Sequence, residues 1–386
     1  MQYQFHAQPM ITYAEGASAL IGKMLKKCGI PAGANVLMVH GKNVKASGLV
    51  DGVEQALLAE SYKLVTFNKV ESDAPVGIIR EGTAFAKEHN VLAVVALGGG
   101  SCLDIAKAIS IMMSNEGDIL NYVGMDVVPN RRNVVFAAIP TTCGTGSEVT
   151  DGGVVFDTEH NVKLPFWDSF AAPDIALLDP LLLAKLPKHL IAQTALDAMA
   201  HSVEGYTSAV ASPMADALAL GAIEIIVNQL PAAYTKDDNM AELGMLLSAS
   251  TMAGIAFNRS SVHVGHSIAH AVGALAHIHH GAACALALPL IVREESKALP
   301  EKMKKVAAIF GVEGIDALSP ENLGKRLAEK MEAFTAQFGI TSFAAYHVTA
   351  EQVETAIGYI SQDPIAQVSA QPISLDTIRE YLISKI

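Results

Sequence analysis

The sequence predicts an α/β domain on a parallel sheet followed by an all-α domain. Three observations lead there: apolar runs alternating with helical patterns in the first half, helical spacing throughout the second, and Gly-rich turns closing two of the apolar runs. A chain of 386 residues is long enough for two domains, each with its own core. With 51% hydrophobic and 17% charged residues, disorder is excluded and large buried cores are favoured.

Val36-Leu37-Met38-Val39 reads as a buried strand, as do Leu64-Val65-Thr66-Phe67 and the runs 91–97 and 134–139. Helical patterns at 53–61, 76–88 and 103–113 lie between them. Continuous apolar strands separated by helices indicate a parallel sheet covered on both faces. From about Pro180 the texture changes, and 190–208, 213–229, 240–257 and 264–274 carry apolar residues at helical spacing with few turn signals. The expected domains are 1–182 and 183–386, abutting without a Ser/Gly-rich linker, with a small-molecule cleft between them.

The net charge of −12 argues against a nucleic-acid partner, which needs a basic face. Met1-Gln2-Tyr3-Gln4-Phe5 is no basic n-region leading into an apolar segment, so no signal peptide is expected. No stretch of about 18 residues runs free of polar or Gly interruption, so no membrane span is expected either. The four cysteines are scattered, without a CxxC pair, and read as reduced thiols of a cytoplasmic protein.

The run ending at Leu97 leads into Gly98-Gly99-Gly100-Ser101 and then a helix from about Leu103. A strand, a glycine turn and a helix N-terminus offer backbone amides where a pyrophosphate can sit, as in Rossmann-like dinucleotide-binding domains. Leu103 stands where a full GxGxxG has its last glycine, so this turn alone is also readable as merely tight. A second turn, Pro140-Thr141-Thr142-Cys143-Gly144-Thr145-Gly146-Ser147-Glu148, closes the neighbouring run and adds hydroxyl donors. Two such turns on neighbouring strands favour a ligand over coincidence.

The helical half concentrates metal-ligand residue types. Asp197 and His201 are four apart, and so are His266 and His270, which puts each pair on one helix face. His280 follows in His279-His280-Gly281, and six of the 13 histidines fall between His263 and His280. Such pairs also occur as surface or satisfied core groups. Here their neighbours are Ala, Met, Ile and Val, and a buried unpartnered polar group is costly. One carboxylate and three imidazoles suit iron(II) or zinc with a position left for substrate.

Taken together, these residues resemble the iron-containing (group III) alcohol dehydrogenase family. The matches run in order: Gly98-Gly99-Gly100-Ser101 with Asp104 and Lys107; Pro140-Thr141-Thr142 with Gly144-Thr145-Gly146-Ser147-Glu148; Asp197-Ala198-Met199-Ala200-His201; His266 to His270; and His280-Gly281. The resemblance implies the dehydroquinate synthase-like fold of that family, and a divalent metal, usually iron, on Asp197, His201, His266 and His280. The fourteen-residue step from His266 to His280 matches the family's spacing and prefers this pair to His263 and His279. By the same matching His270 is the non-ligand histidine that relays a proton, and Gly98, Gly99, Gly100 and Ser101 form the pyrophosphate loop. Thr141, Thr142 and Lys163 are similar to coenzyme contacts, and Phe257 resembles a pocket aromatic.

Three departures shape the expectations. Where many members have an acid after the first strand, this chain has His40-Gly41-Lys42-Asn43. Without a carboxylate for the ribose 2′-hydroxyl, and with Lys42 and Lys45 near, Gly41 opens the site to NADP as well as NAD. Arg259 and His263 stand where relatives have small or amide residues, four apart and so on one face of a continuous helix. Lining the site, they would favour a short alcohol or aldehyde with a polar or anionic tail; turned to solvent, they leave simple short-chain substrates. The stretch 362–368 lacks a Cys-containing loop common in relatives, so the pocket rim is not carried over there.

The expected protein is a metal-dependent, NAD(P)-linked alcohol dehydrogenase or aldehyde reductase, a homodimer or higher homo-oligomer, without nucleic-acid or membrane partners. Its rivals are a zinc glycerol-dehydrogenase-like enzyme, a lyase of the same fold, and a non-catalytic metal- or nucleotide-binding protein.

Overall fold

The computed structural model describes residues 9–386. The segment 1–5, read above for a signal peptide, lies outside the described residues. The chain divides into two compact units, the first ending at Lys185 and the second spanning Leu186–Ile386.

The first unit holds strands β1 (Met10–Tyr13), β2 (Asn35–Gly41), β3 (Lys63–Val70), β4 (Ala93–Gly98), β5 (Gly124–Met125), β6 (Val135–Pro140), β7 (Gly152–Asp157), β8 (Val162–Trp167) and β9 (Ile175–Leu178). Its helices are α1 (Ile21–Lys27), α2 (Lys42–Ala46), α3 (Leu49–Ala59), α4 (Val76–Glu88) and α5 (Gly100–Met112). Six strands form one sheet in the order β1-β9-β6-β4-β2-β3, and every pairing in it is parallel. The four apolar runs of the sequence are β2, β3, β4 and β6. All six residues of β4 are buried, because β2 and β6 flank it and helices cover the sheet faces.

The strand order carries a functional consequence. From β2 the chain steps outward to β3, returns across β2 to β4, and then proceeds the other way to β6 and β9. The order therefore reverses between β2 and β4, and ligands of open α/β sheets bind beyond the carboxyl ends of the strands at such a switch. Those ends are Gly41 and Gly98.

The sequence reading did not include the three-stranded sheet β5-β8-β7, in which β7 and β8 form an antiparallel hairpin, nor the short strands β1 and β9. Helix α5 also starts at Gly100 rather than Leu103, since the Gly99 carbonyl already accepts from the amides of Cys102 (3.0 Å) and Leu103 (3.1 Å).

The second unit is helical: α6 (Lys188–Thr207), α7 (Pro213–Thr235), α8 (Met240–Ser260), α9 (Val264–Ala276), α10 (His280–Ala298), α11 (Pro300–Ile309), α12 (Pro320–Ala336), α13 (Ala350–Ile360) and α14 (Leu375–Ile383). α6 is its central element, buried almost without interruption from Ile191 to Thr207 and packed by α7, α8 and α10. α7 and α8 have the length and mean apolar composition of a membrane span, although polar and Gly residues interrupt both, as the sequence reading noted. They pack on each other and on α6 as core helices.

Candidate active site

In the helical unit, three elements bring one polar cluster together. Asp197 and His201 project from α6, His266 from α9, and His280 opens α10. Three imidazole Nε2 atoms surround a single carboxylate oxygen: Asp197 Oδ1 lies 3.5 Å from His280, 3.9 Å from His266 and 4.0 Å from His201. That oxygen is buried and accepts no hydrogen bond among the described residues. An isolated buried carboxylate oxygen is costly. Donors about 2.0–2.2 Å from a shared tetrahedral ion sit about 3.4 Å apart, close to these separations. The donor set and the orphaned oxygen fit a divalent metal.

Two further residues belong to the cluster. Cys284 on α10 has its Sγ 3.5 Å from His280 Nε2 and 3.9 Å from His266 Nε2. Burial, and then the charges of Asp197 and Glu204, push its thiol well above the ordinary value. Glu204, buried on α6, accepts from His266 Nδ1 (2.6 Å) and from the backbone amides of His263 (2.7 Å) and His266 (3.1 Å). Burial alone would raise this carboxyl, but the charge and hydrogen bond of His266, with His263, hold it below its ordinary value. A carboxylate on Nδ1 fixes the tautomer and leaves the Nε2 lone pair facing Asp197.

The sequence signal for both was present. Glu204 is seven residues after Asp197, two turns along the same face, and Cys284 repeats after His280 the four-residue step of the other pairs. Glycines allow the approach. A Cβ at Gly281 would stand 1.9 Å from the Gln193 carbonyl oxygen, and one at Gly265 would stand 2.7 Å from Glu204 Oε1.

His270 is exposed, its ring stacked on His280 with centroids 5.3 Å apart and edge-on to His266 at 6.0 Å. Phe257, at the end of α8, stacks on His201 at 4.2 Å and 12°. The shared helical face expected for Arg259 and His263 does not exist. α8 ends at Ser260, Ser261 takes φ 63°, and α9 starts at Val264, so the two residues belong to different elements. His263 is fully buried, its Nε2 2.9 Å from Thr207 Oγ1, and burial lowers its pKa to about 4. It is a neutral structural group, and Arg259 remains half-buried in the last turn of α8.

In the α/β unit the two glycine-bearing turns lie against each other. A Cβ on Gly99 would approach Thr142 Cγ2 to 3.3 Å, one on Gly100 would approach Thr145 Cγ2 to 2.8 Å, and the Thr141 amide donates to the Gly98 carbonyl at 3.1 Å. The N-cap of α5 is Gly99, which has no side chain to cap the first turn and leaves its amides to other acceptors.

Lys107 of α5 is fully buried and donates to Ser147 Oγ (2.8 Å), Thr150 Oγ1 (2.8 Å) and the Gly152 carbonyl (2.6 Å). Asp104 accepts from Ser147 Oγ at 2.9 Å and from the Val154 amide at 3.1 Å. These two side chains hold the second turn onto the helix that follows the first. Ser101 Oγ accepts from the Asp73 amide at 3.1 Å, and Lys163 pairs with the Asp73 carboxylate at 2.6 Å. At Gly41 a Cβ would meet only Val70 Cγ1, at 4.0 Å, so the position is open. Lys45 is engaged by Asp51 and Glu54, and Lys42 is exposed.

The model of the iron-containing alcohol dehydrogenase family matches residues 9–180, and that of the family's C-terminal part matches 191–386. The chain belongs to the iron-containing alcohol dehydrogenase family. As a member it is an oxidoreductase acting on CH–OH groups. It is 30% identical to the NAD-dependent methanol dehydrogenase of Bacillus methanolicus, over 98% of each chain. It is 32% identical to the NADPH-dependent butanol dehydrogenase of Clostridium saccharobutylicum, over 86% of this chain and 84% of that one. Among solved structures, a 1,3-propanediol oxidoreductase superposes with a TM-score of 0.94 at 28% identity, over the whole of both chains.

Proposed function

We propose that this family member is an NAD(P)-linked dehydrogenase of short-chain alcohols, working in reverse as an aldehyde reductase. In this reading it carries one divalent metal, iron(II) or zinc, on Asp197, His201, His266 and His280. The convergence of three imidazole nitrogens on the orphaned Asp197 Oδ1 carries the proposal. A metal held by these residues would supply Lewis acidity toward the substrate hydroxyl, and a bound nicotinamide would supply the hydride acceptor.

The chain's own residues do the rest. Glu204 orients His266, and Phe257 holds the His201 ring flat. Exposed on the ring of His280, His270 passes the hydroxyl proton to solvent, a role suited to an imidazole near neutrality. The glycine loop 98–100 with Ser101 holds the pyrophosphate, and Thr141, Thr142 and Lys163 contact the rest of the dinucleotide.

Cofactor preference follows from Gly41. With no carboxylate to repel a 2′-phosphate and Lys42 free to meet one, NADP is accepted alongside NAD, and Gly41→Asp lowers NADP(H) use far more than NAD(H) use. Strict NAD specificity in the wild type would refute this. The reading extends to a homodimer or higher homo-oligomer in the cytoplasm, which agrees with four cysteines that form no disulfide among the described residues.

The deciding assay follows NAD(P)H absorbance with short alcohols, propanal and an acidic aldehyde of similar length, in wild type and His266→Ala, each loaded with iron(II) or zinc. His266→Ala is expected to lose nearly all turnover and most bound metal. Full metal content and activity in that variant would overturn the assignment. An anionic-tail preference now rests on Arg259 alone, so a lead of propanal over the acidic aldehyde restricts the substrates to simple short chains.

A further inference from the structure

We propose that the outer face of the α7–α8 helix pair is where this chain meets a second copy of itself across a twofold axis. The proposal rests on the homo-oligomer reading above and goes beyond it by naming the surface.

A helix that is apolar on every side is ordinarily buried. The inner side of α7, with Ile223, Ile226 and Leu230, is buried. Its outer side carries Met214, Leu218 and Ile225 at helical steps, and these stay exposed or half-buried. On α8 the outer row is Met245, Met252 and Ile255, exposed or half-buried as well. The two rows lie side by side, since a Cβ on Gly221, between Leu218 and Ile225, would stand 2.8 Å from Met252 Cε. Ser248, the polar member of the α8 row, donates its hydroxyl to the Gly244 carbonyl at 3.0 Å, and neither row holds a charge. Only 33% of the most apolar 18-residue stretch of α7 is buried, against 61% for that of α8.

Charge and area select the occupant. Helices that lie on lipid present Lys and Arg, whereas the charged residues of α7 are the acids Asp216 and Glu224 and the net charge is −12. An uncharged apolar face suits its own copy, because homodimer interfaces are more apolar than other surfaces and poor in charge. Methionine at three positions adapts to a facing methionine. With 23 and 21 residues, the helix pair offers a face about 30 Å long and about 20 Å broad, on the order of 600 Å². Two copies together then bury on the order of 1,200 Å², which reaches the range of stable interfaces.

The test measures the full-length protein by sedimentation velocity over a range of concentrations. It compares wild type, the double variant Met214→Glu with Met245→Glu, and Leu58→Glu, which changes an exposed apolar side chain on α3. The wild type is expected to sediment as a dimer or an even multiple of one. Four carboxylates brought into one interface are expected to weaken the dimer more than about 100-fold, with Leu58→Glu like wild type. A wild type that is monomeric throughout removes the homo-oligomer reading, and the proposal with it. An oligomer equally stable in the double variant overturns this surface and leaves the homo-oligomer reading standing. Co-sedimentation of wild type with phosphatidylcholine–phosphatidylglycerol vesicles, lost in the double variant, assigns the face to lipid and also overturns it. Oxidation by dilute peroxide, read by mass spectrometry, decides on the wild type even if the double variant fails to fold. Met214 and Met245 are expected to react several-fold more slowly than Met125, which is 72% exposed. Equal rates at the three would overturn the proposal.

Discussion

His270 sits one helical turn from His266, faces solvent, and lies parallel to the ring of His280. A residue so placed can move a proton without holding the metal. His270→Ala is therefore expected to lower kcat by about 10²- to 10⁴-fold, the usual contribution of a general acid–base group, with metal content unchanged by elemental analysis. Loss of metal in that variant would exchange the relay and ligand roles. Asp197, His201, His266 and His270 were legible because each pair shares a helix face at a four-residue step. Arg259 and His263 have the same step and failed, since periodicity does not register the break that Ser261 makes at φ 63°. Glu204 and Cys284 obeyed the rule and were passed over, one for its seven-residue spacing and the other for being a lone thiol.

Between elements, α10 comes close to the backbone of α6 at Gly281, where a Cβ would stand 1.9 Å from the Gln193 carbonyl oxygen. Any side chain there meets the Gln193 carbonyl, which is backbone and cannot rotate away. Gly281→Ala is expected to push α10 outward at a cost of about 1–3 kcal/mol, seen as a lower Tm. The same shift withdraws His280, so bound metal should fall in parallel; an unchanged Tm with full metal would contradict the packing. Strand positions were legible as unbroken apolar runs because central parallel strands are buried on both faces. β1 and β9 have only four residues each, and in the small sheet β8 exposes Val162, Lys163 and Pro165, so neither gave such a run. The start of α5 was displaced because glycine signals a turn, whereas here it also begins the helix.

The stability of the whole chain should carry the mark of Glu295. Both its carboxylate oxygens are buried on α10 without a hydrogen bond among the described residues, and burial, then Glu204 and Glu294, raise its pKa from 4.5 to about 8. Between those values the folded protein holds a proton that the unfolded chain has released. Stability therefore falls as pH rises from 4.5 to 8, by at most about 1.4 kcal/mol per unit, and this contribution is flat above. Glu295→Gln, which keeps the shape without the ionisation, should raise Tm most near pH 8 and flatten the slope below it. A variant with the wild-type slope would show that the carboxyl is ionised in the fold.

Lys107 has a different consequence, for chemical labelling. Its amine is fully buried, all three donors are occupied, and burial lowers its pKa to about 8. Acylating or reductive-methylation reagents that mark surface amines have no route to it in the folded protein. It becomes reactive only when the glycine-bearing turns separate from α5. The fraction of chains modified at Lys107, read by mass spectrometry after a short pulse of reagent, thus counts openings of the α/β unit, and a ligand seated on those turns should slow the count.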